Sequence, residues 1–198
     1  MVSPKNYYRL MQTGQNALLF PGGVREVFHG KDEAYDLFWP EKADFVRTAA
    51  KFNATIVTIS AVGAADSANI LIDAPDMLRL PFGLGERAMN ITRNTVSARF
   101  NQDKEEELFQ PPLVVPKPLP ARHYFVFGQA IETKDIDHSN KIQCEDLYVA
   151  VKSDLRNGLD DLLKARTKDP FADTTRRLAY EQVTGKKAAS FEVEELNQ

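Results

Sequence analysis

Between Gln110 and Arg122 the chain reads QPPLVVPKPLPAR. Each proline fixes φ and removes an N–H donor, so this stretch can neither continue a helix nor lie inside a sheet. It must run extended across a surface, as a connection within a domain rather than a flexible linker. His123-Tyr124-Phe125-Val126-Phe127 follows as a strand closed by Gly128. Leu147, Val151, Leu155, Leu159 and Leu162 then recur at helical spacing, with Glu145 and Asp146 ahead of Lys164 and Arg166, the charge order that suits a helix dipole. Asp169-Pro170 predicts a second helix by cap-then-proline logic, reaching about Tyr180, and the tail to Gln198 is polar and frayed.

The other half of the chain alternates helix and strand. Ser3-Pro4 predicts a helix N-cap with proline at N1, and Gly14 the close of that helix. Ala17-Leu18-Leu19-Phe20 reads as a brief buried strand ending on Pro21-Gly22-Gly23. Phe45, Val46, Ala49 and Ala50 mark an amphipathic helix after Pro40. Ala54 to Ala61 is β-branched and apolar, which suits a strand covered on both faces, as in a parallel sheet. A short helix is expected within Asp73–Leu80, and a polar loop over Asn101–Glu107.

Composition narrows the function classes. The 198 residues fit one domain, or a domain with a helical tail, and 43% hydrophobic against 27% charged residues describes a chain that folds around a core. A net charge of -3 and a pI of 5.7 argue against nucleic acid as a partner bound by bulk positive charge. The single cysteine, Cys144, permits neither an internal disulfide nor a Cys-rich zinc site, and is read as a small buried residue. The first residues, MVSPKNYYRLMQTG, have neither signal-peptide nor transit-peptide character. The longest apolar stretch, about Asn53 to Ala65, falls short of the roughly 20 residues that span a bilayer.

His29, His123 and His138 stand far apart without partners at metal-ligand spacing, so no metal is expected, and no cofactor. There is no GxSxG elbow for a serine esterase and no complete nucleotide-binding glycine fingerprint. The informative block is Phe20-Pro21-Gly22-Gly23-Val24-Arg25-Glu26. Two residues without side chains let backbone approach a ligand, and Arg25 can meet phosphate, carboxylate or an oxyanion. The competing reading is a tight turn with Arg25 and Glu26 as a solvated surface pair. His29 is close enough in sequence to approach the same pocket, or is an exposed loop histidine. Trp39, with Phe38, either lines a pocket or rests in the core. Leu80-Pro81-Phe82-Gly83-Leu84 is either a packed turn or a segment that dips into lipid headgroups.

FPGGVRE, then YDLFWPE, FVR and ATIV in this order, followed by RHYFVFGQAIET and DPF, resemble the acyltransferase region of the plastid phytyl ester synthase and diacylglycerol acyltransferase-like proteins, within the lysophospholipid acyltransferase superfamily. The similarity extends over almost the whole chain. It implies an α/β fold, a central mostly parallel sheet flanked by helices with further C-terminal helices, over residues 1–185 and followed by a polar tail, 186–198. It also implies transfer of a fatty acyl group from acyl-CoA, acyl carrier protein or a galactolipid onto diacylglycerol or phytol, at a membrane surface in the plastid or on a plastoglobule.

By the same resemblance Phe20, Pro21, Gly22, Gly23, Arg25 and Glu26 bind the acceptor, with His29 and Trp39 as further pocket candidates. Glycine replaces the acidic residue of the superfamily's FPEG block, which favours a neutral alcohol over a glycerol-phosphate. Thr58, where the superfamily carries proline, and Ala64 and Ala65, where the branch is acidic, depart from the pattern. The superfamily's catalytic His-x-x-x-x-Asp pair is absent, since Ala34, Gly128 and Gln143 stand five positions beyond the three histidines. The expectation is therefore that the N-terminal part of the domain, carrying that pair, is missing from this chain. The alternative is a non-catalytic lipid-binding or regulatory remnant of the same fold.

Overall fold

The computed structural model describes residues 4–42, 44–85, 87, 111–119 and 121–189. Its elements are α1 (Pro4–Gln12), α2 (Gly23–Val27), α3 (Asp44–Lys51), β1 (Ile59–Val62), β2 (Ala68–Ile72), α4 (Ala74–Leu78), β3 (Leu113–Pro116), β4 (Tyr124–Phe127), α5 (Lys141–Lys168) and α6 (Thr174–Thr184), with 3-10 turns at Ala65–Ser67 and Pro81–Gly83. They form two compact units. One comprises Met1–Phe20, Glu41–Val62 and Arg122–Gln198, the other Pro21–Pro40 and Gly63–Ala121.

The core of the first unit lies between α5 and the β1–β4 pair, and between α3 and its neighbours. Val46, Ala49 and Ala50 of α3 are buried, as their spacing predicts, and Tyr7 of α1 donates its hydroxyl to the Phe45 carbonyl at 3.3 Å. Helix α1 closes on Gly14, whose φ of +66° is the left-handed conformation that glycine accepts without a Cβ clash. Asn140 caps α5, its side chain accepting from the N–H groups of Ile142 and Gln143. Leu147, Val151, Leu159 and Leu162 of α5 are buried, together with Cys144.

Strands β1 and β4 pair antiparallel, Ile59 opposite Phe127 and Val62 opposite Tyr124, with a further bridge between Ile56 and Ile131. The second unit holds an antiparallel pair as well, β2 with β3, Asn69 opposite Val115. The architecture is mixed α/β, and antiparallel pairs stand where a central mostly parallel sheet was expected. Apolar, β-branched runs report burial and strand propensity but carry no information about the direction of the neighbouring strand.

The expectation that Ala54–Ala61 is covered on both faces also fails. Burial alternates along it, with Thr58 and Ser60 covered and Val57, Ile59 and Ala61 exposed. Helix α5 covers one face only. There Ser60 Oγ donates to the Leu155 carbonyl at 2.9 Å and Thr58 Oγ1 to Asp154 Oδ2 at 2.5 Å. Gly158 permits this approach: a Cβ on it would lie 2.5 Å from Ser60 Oγ and 3.2 Å from Val126 Cγ1.

Three more expectations are corrected. Ala17–Phe20 is extended but pairs with no strand among the described residues, and Leu18 and Phe20 are exposed. The last helix starts at Thr174, where Asp173 supplies the cap, accepting from the Arg176 N–H at 2.8 Å, while Asp169 accepts from the Phe171 N–H in a turn ahead of it. It ends at Thr184, where Gly185 takes φ +66°. The proline stretch is extended, yet Leu113–Pro116 also pairs as β3, with all four residues exposed. Ser3, the Asn101–Glu107 loop and the tail from 190 lie outside the described residues.

Candidate functional site

The FPGG block is divided between the units: Phe20 belongs to the first and is exposed, while Pro21–Glu26 belong to the second. The two glycines do different work. A Cβ on Gly22 would collide with the Glu26 side chain, so the space freed there is filled from within the chain. Gly23 has φ +54° and nothing within 4 Å of where a Cβ would stand, so the glycine answers a backbone requirement and leaves open space. Glu26 folds back far enough for its Oε1 to accept from the Phe38 N–H at 3.1 Å.

Arg25 does not form a surface pair with its neighbour. Its guanidinium grips Glu33 with two parallel bonds, Nη1 to Oε2 at 2.7 Å and Nη2 to Oε1 at 2.6 Å, the fork geometry that suits a carboxylate. The same guanidinium lies 3.7 Å from the centroid of the Phe38 ring, a cation–π contact. Glu33 also accepts from the Gly30 N–H at 2.5 Å. The hydrogen bonds from Arg25, with that from Gly30, hold the Glu33 carboxyl below the ordinary carboxylate range, against an opposing push from partial burial.

The network continues through the next residues. His29 is half-buried and its Nδ1 lies 2.8 Å from the Gly30 carbonyl, to which the ring N–H donates. The Lys31 N–H donates to Asp73 Oδ2 at 3.3 Å, and Lys31 Nζ to Asp76 Oδ2 at 2.5 Å. Asp73 and Asp76 form a reciprocal capping box that starts α4. Tyr35, at φ +68°, accepts from the Gly63 N–H at 2.9 Å and donates to Asp66.

Arg25, Glu26, His29 and the Phe38 ring therefore share one tied segment, organised by Glu33, with Trp39 half-buried beside it in sequence. Glu33 went unnoticed in the sequence because an arginine and a glutamate eight residues apart follow no helix or strand period. The Arg25 charge is neutralised in place. Such an arrangement presents donors that are fixed in direction but carry little net field, which suits a hydroxyl or carbonyl oxygen better than a phosphate. Among the described residues no three His, Cys, Asp or Glu side chains gather to hold a metal ion. No helix among them is long and apolar enough to cross a membrane.

A second cluster joins the two later motifs, RHYFVFG and DPF. Asp169 Oδ2 accepts from Arg122 Nη1 at 3.0 Å and from the Tyr124 hydroxyl at 2.7 Å, and Oδ1 accepts from the Phe171 N–H at 2.8 Å. Burial first, and then the Asp169 carboxylate, push the Tyr124 phenol well above its ordinary value. The cluster is internal and fully engaged, so it locks β4 to the end of α5.

No family model matches the chain, and no solved structure does. Two curated plant proteins do. Phytyl ester synthase 1, chloroplastic, of Arabidopsis thaliana is 36% identical over 184 residues, 90% of this chain and 26% of that protein. Phytyl ester synthase 2, chloroplastic, of the same plant is 38% identical over 189 residues, 93% of this chain and again 26% of the relative. The chain thus spans about a quarter of the length of the relatives it matches. Over nine-tenths of its own length, it is a relative of the C-terminal region of the phytyl ester synthases.

Proposed function

We propose that this chain is the acceptor-side part of an O-acyltransferase that moves a fatty acyl group onto phytol or diacylglycerol, and that polypeptide outside these 198 residues completes its domain. Similarity to the phytyl ester synthases supports the reaction class. The observation that carries the second half is the apolar open face of the β1–β4 sheet. Its covered face holds Ser60, Val62 and Tyr124, whereas its open face leaves Ile59 40%, Phe125 59% and Phe127 68% exposed, with Val57, just ahead of β1, at 47%. A sheet with an apolar face turned to water calls for another layer. Each strand also keeps one edge without a partner among the described residues.

In this reading Phe20, Pro21, Gly22, Gly23, Arg25 and Glu26 seat the acceptor, with His29 and Trp39 beside them. Arg25 uses two of its donors on Glu33 and offers the rest to an oxygen of a neutral alcohol or ester. The hydroxyl attacks the carbonyl carbon of an acyl-CoA, acyl carrier protein or galactolipid. The new ester bond forms as the thioester or ester bond breaks, the thiolate or alkoxide leaves, and the alcohol's proton passes to the general base of the His-x-x-x-x-Asp pair, which lies outside this chain. The protein acts in the plastid.

Acceptor choice tests the site. Offered acyl-CoA with phytol, diacylglycerol or glycerol 3-phosphate, the longer protein makes phytyl ester or triacylglycerol and little lysophosphatidate, because the Arg25–Glu33 pair leaves no net positive charge for a phosphate. Acylation of glycerol 3-phosphate at a comparable rate would contradict the assignment.

A further inference from the structure

The second unit carries an apolar projection that the acceptor site does not use. Every residue from Leu78 to Leu84 is exposed, and five of the seven are apolar: Leu78, Leu80, Pro81, Phe82 and Leu84. Phe82 is 91% exposed, Leu78 59%, Leu84 50% and Leu80 41%. Scattered exposed leucines need no explanation, but a contiguous run with an aromatic at its tip does. The backbone supplies a second observation. Phe82 has φ 62°, a left-handed conformation that bulky residues avoid, and no packing of its ring compensates for it.

The projection is built rather than frayed. Its near side is α4, started by the Asp73–Asp76 capping box and held to Lys31. Its far side returns at Gly85, which is buried and sits so close to the Met77 carbonyl that a Cβ there would overlap it. The neck is therefore pinched between Met77 and Gly85 and the apolar tip stands out between them. The charges flanking the tip in sequence are Arg79, Glu86 and Arg87, of which Arg79 and Arg87 are among the described residues and are exposed. Cations beside an apolar wedge match a lipid surface, whose headgroup layer holds anionic phosphates above the acyl chains. Arginine stems can lie along the apolar layer while their guanidinium groups stay among the headgroups.

We infer that the Leu78–Leu84 turn is a bilayer-inserting wedge, with Phe82 at its tip in the acyl region and Arg79 and Arg87 among the headgroups. The inference deepens the reading above and rests on it for the choice of a lipid surface over a protein partner. Phe82 adds the affinity of a buried aromatic side chain, so Phe82→Asp weakens vesicle binding by roughly ten- to a hundred-fold.

The test is co-flotation of the 198-residue chain with phosphatidylcholine vesicles and with mixed phosphatidylcholine–phosphatidylglycerol vesicles. The wild-type chain floats with both and more tightly with the anionic mixture, Phe82→Asp is lost from both, and Val183→Asp, at an 86% exposed position of α6, floats as the wild type does. If Phe82→Asp fails to fold, Phe82→Trp replaces it, and its added emission shifts to the blue and is quenched by lipids brominated on the acyl chain. No flotation of the wild type, equal loss in the Val183→Asp control, an unquenched tryptophan at 82, or a dimer of the chain that Phe82→Asp dissolves would each overturn the wedge. Binding is read without acyl transfer, so its failure leaves the acyltransferase reading standing, and inactivity of the chain leaves the wedge standing.

Discussion

Asp169 is the most instructive residue to perturb, because its carboxylate alone satisfies three donors, two from the Arg122–Tyr124 segment and one from the Phe171 backbone. Its side chain is 2% exposed and that of Arg122 15%, so Asp169→Asn strips the charge from a site that water does not refill. The Arg122 guanidinium then loses its counter-charge in a buried setting, at a cost of about 3–5 kcal/mol. The amide keeps a single oxygen, which serves either the Tyr124 hydroxyl or the Phe171 N–H, and the bond it gives up adds to the loss. Asp169→Ala removes those bonds too and lies at or above the top of the same range, with the terms not additive. Set against a total stability of about 5–15 kcal/mol, either change takes a large share. Urea titration followed by far-UV circular dichroism measures it. A second variant separates charge from hydrogen bonding: replacing Arg122 and Asp169 together by leucines recovers the part of the loss that comes from an uncompensated charge, while the Tyr124 hydroxyl and Phe171 N–H stay without this acceptor. An Asp169→Asn variant within about 1 kcal/mol of wild type would refute the reasoning.

Three further outcomes follow from the same geometry. The Tyr124 phenol has its folded value raised, so above about pH 10 the unfolded state binds fewer protons than the folded one; stability present below that pH falls as pH rises, and Tyr124→Phe flattens the alkaline limb of a denaturation profile. Gly158→Val forces a side chain against Ser60 and Val126 and lowers stability by about 1–3 kcal/mol or more, read as a shift in the urea midpoint, whereas equal stability would mean that α5 does not sit on β1 as described. Phe127→Thr on the open sheet face lowers binding of an apolar fluorescent dye without lowering the melting temperature, and a large drop in melting temperature would place that ring inside the core.

How much of this was legible in the sequence depends on the kind of interaction. Helices α3 and α5 were readable because a buried stripe repeats every three or four residues and the repeat is local. Gly14 marks a helix end for an equally local reason, a positive φ, whereas the last helix runs past the expected end near Tyr180 to Gly185. Strand direction was not readable: Ile56 to Ala61 looks alike whether its neighbour runs parallel or antiparallel, and the partner β4 lies more than sixty residues away. The exposure of Val57 and Ile59 was invisible for a different reason, since an unbroken apolar run does not tell a strand covered on one face from one covered on both. Asp169-Pro170 imitated a helix start: Asp169 Oδ1 does accept from the Phe171 N–H, but the chain turns there and Asp173 caps the helix, while Oδ2 binds Arg122 and Tyr124. In the FPGGVRE block the Glu33 clamp on Arg25 required the fold, because nothing in an eight-residue separation announces it.

The most direct measurement compares acyl transfer by the 198-residue chain with transfer by the longer protein that carries its upstream reading frame, each given acyl-CoA with phytol or diacylglycerol. The account predicts ester formation by the longer protein, with a His-x-x-x-x-Asp pair in the added segment, and none by the chain alone. Turnover by the 198 residues on their own, or none by a longer protein that contains the pair, would contradict it.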